Sequence, residues 1–139
     1  SVSLSCTLLD LATGALTYVD AGHGAPTVAL GTGRFARLAA TSGPPVGVVE
    51  DATYAEGAVR LPPGSTLLLH TAGLTDAHAA SGESFGDERL QAALDGSRDR
   101  GATGLVATAF AAVDRFAGDA PPPVDINVIA LRYRAPAPG

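Results

Sequence analysis

The sequence predicts an α+β fold. Three observations predict it: β-prone runs fill residues 1–71, two helical stretches follow, and one strand closes the chain, so strands and helices are segregated rather than alternating. With 139 residues the chain is about one domain's worth. Hydrophobic residues make up 46% and charged residues 17%. That composition supports a packed core and excludes a disordered chain, which would be charge-rich and poor in Val, Leu and Ile.

Leu4–Leu9 is a mostly apolar run, Asp10–Gly14 supplies turn chemistry, and Ala15–Val19 resumes β-prone residues, which together read as a hairpin. Thr27–Leu30 and Arg34–Leu38 flank Gly31-Thr32-Gly33 and read as a second hairpin. Tyr54–Leu61 leads into the turn Pro62-Pro63-Gly64-Ser65, in which Pro fixes φ and Gly is permissive. Thr66–Thr71 is almost wholly apolar, as expected of a central strand buried on both faces. A helix is expected from Phe85 to about Asp95, with Asp87 and Glu88 in its first turn where the helix dipole favours acids. A second is expected over Leu105–Phe116, where Leu105, Val106, Ala109, Phe110, Val113 and Phe116 form one apolar face. Gly118–Pro123 breaks it, Val124–Tyr133 returns as a strand, and the Pro-rich stretch 135–139 reads as a tail.

Charge narrows the function classes. The formal net charge is −5, and all nine basic residues are scattered arginines, so no basic stripe exists and nucleic-acid binding is not expected. No apolar run approaches the ~20 residues of a membrane span. The single Cys6 excludes a disulfide framework and a cysteine zinc site within one chain, and its apolar flanks predict a small buried residue. No pair of His23, His70 and His78 has the spacing of a zinc site. No signal peptide or lipidation motif is visible, so a cytoplasmic location is expected. With Ser at position 1 and no Met, the chain is not expected to begin where a gene begins.

Four stretches carry a family resemblance. Asp20-Ala21-Gly22-His23 with Pro26 resembles an Asn-Ala-Gly-His-Pro motif, and Pro62–Ala77 resembles a "PGD-LLLYTDGVTEA" segment. Phe85-Gly86-Asp87-Glu88-Arg89-Leu90 resembles "FGEERL", and Val124–Val128 resembles "DDITL". These are motifs of the SpoIIE/RsbU-type phosphatases of the PP2C (PPM) superfamily. The resemblance covers residues 1–134 and corresponds to the C-terminal portion of the usual domain; the N-terminal strands with their "GDV-G-G" metal motif have no counterpart.

The resemblance implies a PP2C-like β-sandwich of antiparallel sheets flanked by helices. It implies a pair of Mn²⁺ or Mg²⁺ ions, because hard cations take oxygen ligands and a metal pair clamps phosphate and activates water. It further implies bacterial partner-switching regulation of sigma factors, with a phosphorylated STAS-type anti-sigma-factor antagonist as protein partner, or an attached sensor domain as signal source. Gly22, His23 and Gly73 are its motif residues here.

The departures concern the metal. Ala72 stands where the "TDG" aspartate would ligate, and Val124 where the first "DD" aspartate would, leaving Asp125 as the one metal candidate. A methyl and an isopropyl group cannot coordinate a cation, so metal binding is expected to be weak or lost and no catalytic residue is assigned. Asp76, four residues past Ala72, is expected to point elsewhere; Asp20 is expected to be a turn carboxylate holding backbone amides, and Asp119 a solvated one. His23 is expected to bond a loop through its ring, His70 to be a strand residue, and Ser42–Gly47 to be a structural loop. The residues thus favour a pseudophosphatase acting as a protein-binding or signal-relay module. The alternative is an active phosphoserine/phosphothreonine phosphatase with an atypical metal site. A third reading is a structural piece of a larger domain, whose open sheet edges would favour a homodimer.

Overall fold

A computed structural model describes residues 1–121 and 124–136. The element order is β1 (Leu4–Leu9), β2 (Ala15–Ala21), β3 (Thr27–Ala29), β4 (Phe35–Arg37), β5 (Gly57–Arg60), β6 (Thr66–His70), α1 (Ala72–Asp76), α2 (Gly86–Asp95), a 3-10 turn (Arg98–Arg100), α3 (Gly101–Ala117) and β7 (Val128–Arg132). The strands form two antiparallel sheets, of order β1-β2-β5 and β4-β3-β6-β7. The α+β sandwich expected from the sequence is the fold observed.

The first hairpin is set by Asp10, whose Oδ1 accepts the amides of Ala12 and Thr13 at 2.9 and 3.2 Å, fixing the turn so that Leu4 pairs with Ala21 and Leu9 with Leu16. β6 lies between β3 and β7 and is buried on both faces, as its apolar run requires. Leu67 joins Leu16, Val28, Leu61 and Tyr133 in the core between the sheets. Leu68, facing the other way, joins Leu74, Phe85, Leu90, Leu94, Leu105, Ala109 and Val113 in a core under the helices. The result is three layers: sheet, sheet, helices. Period-2 alternation in β6 serves both cores from adjacent residues.

Four details differ from the sequence reading. Cys6 is exposed, because β1 turns Leu4, Cys6 and Leu8 to the outer face of its sheet and no described element covers that face. α3 starts at Gly101, four residues before Leu105, since the apolar stripe marks only the buried turns. β5 is shorter than Tyr54–Leu61, because Tyr54 leaves the ladder to donate its hydroxyl to the Pro44 carbonyl at 3.0 Å. β7 begins at Val128 rather than Val124, and residues 124–127 run as irregular backbone held by Thr71. Of the expected Gly118–Pro123 break, Pro122 and Pro123 lie outside the described residues, as do residues 137–139 of the tail.

Candidate functional site

The site is built where β6 ends. The backbone N–H of Thr71 donates to the Asn127 carbonyl at 3.0 Å, while its hydroxyl accepts the Asn127 N–H at 2.9 Å and donates to the Asp125 carbonyl at 3.2 Å. One threonine thereby satisfies both roles of its hydroxyl and laces the start of α1 to the approach of β7. Next to it, Gly73 is buried against the same segment: a Cβ there would stand 2.6 Å from the Asp125 carbonyl oxygen and 3.1 Å from Val124 Cγ2. Ala72 and Val124, separated by 52 positions in the chain, are therefore on segments in direct contact, both exposed. The two positions that the resemblance assigns to metal carboxylates thus lie on neighbouring segments, and neither side chain carries an oxygen.

Asp125 is exposed, and its carboxylate makes no hydrogen bond or ion pair among the described residues. Asp76 sits one turn beyond Ala72 on α1, so the i, i+4 spacing puts it on the same face rather than pointing elsewhere. Among the described residues, no group of three or more His, Cys, Asp or Glu side chains is placed to hold a metal ion. The described residues at this end do not gather the several oxygen ligands that a divalent cation takes around one point.

The Asp20–Ala25 loop leads into β3, whose Thr27 pairs with Leu68, so the loop lies at the same end of the sandwich. Asp20 is buried, and its Oδ1 accepts the amides of His23 at 2.9 Å and Gly24 at 2.7 Å: the turn carboxylate expected. Gly22 takes φ +78°, and a Cβ on it would meet Pro45 Cγ at 2.6 Å, so the residue type there lets the Ser42–Gly47 loop dock. His23 is held through its backbone; its ring forms no hydrogen bond among the described residues, contrary to expectation.

Arg37, which sequence reasoning passed over, completes this end. Arg37 on β4 donates Nε to the Ala25 carbonyl at 3.1 Å and pairs through Nη1 with Asp87 Oδ2 at 3.0 Å, tying the motif loop to the first turn of α2. Arg37 left no readable signal, since β4 is three residues long and its burial runs buried, exposed, exposed rather than alternating. His70, the last residue of β6, is buried beside the Arg37–Asp87 pair. Its Nδ1 lies 3.0 Å from the Thr71 carbonyl, which can only accept, so Nδ1 carries the proton. Nε2 is then an acceptor, buried without a donor among the described residues. Burial lowers the His70 pKa from its ordinary value, the bond to Thr71 opposes this, the Arg37 charge lowers it further, and Asp87 raises it.

A two-sheet sandwich backed by helices, with these loops gathered at one end, is the architecture of the PP2C phosphatase domains. The family profile described as stage II sporulation protein E (SpoIIE) matches residues 1–134, and the chain belongs to that family. Protein IcfG of Synechocystis is 34% identical over 87 residues, covering 63% of this chain and 14% of IcfG. Among solved structures, the RsbU and RsbW domains of Rv1364c from Mycobacterium tuberculosis superpose with TM-score 0.78 at 20% identity, over 98% of this chain and 38% of that one. The manganese-soaked phosphatase domain of SpoIIE from Bacillus subtilis gives TM-score 0.76 at 13% identity, over 99% and 59%. The chain thus spans less than two thirds of each of these relatives.

Proposed function

We propose that this chain serves bacterial signalling as a SpoIIE-type domain without phosphatase chemistry, recognising a protein partner or relaying a signal from an attached sensor domain. One observation carries the reading. The segments bearing Ala72 and Val124 are laced together by Thr71 and Gly73 as a built site requires, yet neither position offers an oxygen ligand. A scaffold kept in register around a site that has lost its ligands supports a role in binding rather than turnover. The partner class that fits the family is a STAS-type anti-sigma-factor antagonist, phosphorylated on serine or threonine, and sigma-factor regulation is the setting.

The test is phosphate release from a phosphorylated STAS protein in the presence of Mn²⁺, alongside a pull-down of the same substrate. Retained binding with no metal-dependent release supports the proposal. Turnover that needs Mn²⁺ and disappears in Asp125→Ala overturns it in favour of an atypical metal site built on that residue.

A further inference from the structure

The opposite end of the four-stranded sheet holds a pocket of about 310 Å³ between the β3–β4 loop, the Pro62–Ser65 turn and the 3-10 turn, lined among others by Gly31, Gly64, Thr66, Arg98, Asp99 and Arg132. A strand of β6's length rises about 13 Å from Thr66 to His70, so this pocket is separate from the end that carries Ala72.

Its two arginines are fixed before any ligand arrives. Arg132 donates Nε to the buried Thr66 hydroxyl at 3.4 Å and Nη2 to the Arg98 carbonyl. Arg98 donates Nη1 to the Thr32 carbonyl at 2.6 Å and to the Gly33 carbonyl at 3.3 Å. Each guanidinium has five N–H donors in a rigid fork, so each keeps donors to spare. Neither makes an ion pair among the described residues, where the pairs formed are Arg37–Asp87 and Arg89–Glu83. Their charge is therefore not neutralised, in a chain whose net charge is −5. A Cβ on Gly31 or Gly64 would meet nothing within 4 Å, so the walls leave open space.

Asp99 lines the same pocket. A carboxylate on the wall of an anion pocket repels an anion that has only acceptors and accepts a hydrogen bond from one that carries a proton. We propose that the Arg98–Arg132–Asp99 pocket binds hydrogen phosphate, the two guanidinium forks holding its oxygens and Asp99 accepting from its P–OH. Sulfate, of the same shape and charge but without a proton at neutral pH, is refused. This site is independent of the reading given to the Ala72 end, and either can fail alone.

The test is a two-dimensional amide NMR titration of the whole chain at pH 7 with inorganic phosphate, sulfate and glycerol phosphate in parallel arms. Saturable phosphate shifts at Gly31, Thr32, Gly64 and Arg98–Arg132, with at least tenfold weaker response to sulfate, are expected. Glycerol phosphate, mostly a dianion without a P–OH at pH 7, should bind several-fold more weakly than phosphate, and equal competition by it would overturn the role given to Asp99. Arg98→Gln, on an exposed residue, should weaken phosphate about tenfold, the loss of one charge-assisted contact. Asp99→Asn should bring sulfate up to within a few-fold of phosphate. No saturable shift, equal binding of sulfate and phosphate by the unaltered chain, or shifts confined to other surfaces would overturn the assignment.

Discussion

Gly73 and Asp125 touch through their backbones so closely that any β-carbon on Gly73 would lie 2.6 Å from the Asp125 carbonyl oxygen. That contact, with the Thr71 hydroxyl beside it, holds together the two chain segments on which the candidate site depends. Gly73→Ala should therefore cost about 1–3 kcal/mol, the usual range for forcing an extra methyl into a filled position. Gly96→Ala is the control: Gly96 is helical in φ and ψ, and its added Cβ meets only ordinary contacts at 3.6 Å and beyond. Denaturant unfolding should show the first destabilised and the second neutral or slightly stabilised.

Asp20 holds its loop by accepting two amides on one carboxylate oxygen. Asp20→Ala leaves both half-buried donors without that partner and should cost about 1–2 kcal/mol, while Asp20→Asn keeps an acceptor oxygen and should retain most of the stability. Equal losses in the two variants would show that the negative charge, not the hydrogen bonds, matters there.

His70 predicts a pH dependence with a definite sign. Its pKa in the folded chain lies below the ordinary 6.5, chiefly through burial. The unfolded chain therefore takes up the proton first as pH falls. The contribution of His70 is fully present above pH 6.5 and is lost progressively below it, down to the folded-state pKa. His70→Gln should flatten that part of the stability curve between pH 7 and 5; an unchanged slope would assign the acid sensitivity to other groups.

Cys6 should react with a thiol reagent in the folded protein at the rate of an open thiol, because its side chain stands on an uncovered sheet face. A thiol that reacts only in denaturant would show that this face is covered in solution.

What the sequence revealed follows from how far each signal is local. The Leu67–Leu68 run declared a strand buried on both sides, and Leu105, Ala109 and Val113 declared a helix face, because each pattern repeats within a few residues. Ala72 and Val124 were singled out by motif register, and the structure adds that the segments bearing them are packed together through Gly73. Cys6 was misread because an apolar run says that a strand is apolar, not which face has a neighbour. Arg37 and Asp87, separated by 50 positions, and the Arg98–Arg132 pair, separated by 34, were illegible because folding alone brings them together. Asp76 was misplaced for a smaller reason: four residues along a helix return to the same face, so its spacing from Ala72 argued for the opposite facing.

The most direct measurement is Mn²⁺ binding by calorimetry on the chain and on a double variant carrying Ala72→Asp and Val124→Asp. The account predicts no saturable heat for the chain and at least tenfold stronger Mn²⁺ uptake by the variant, since its two new carboxylates would enter segments already in contact. Tight Mn²⁺ binding by the unaltered chain would contradict it, showing that ligands other than the expected pair complete the site.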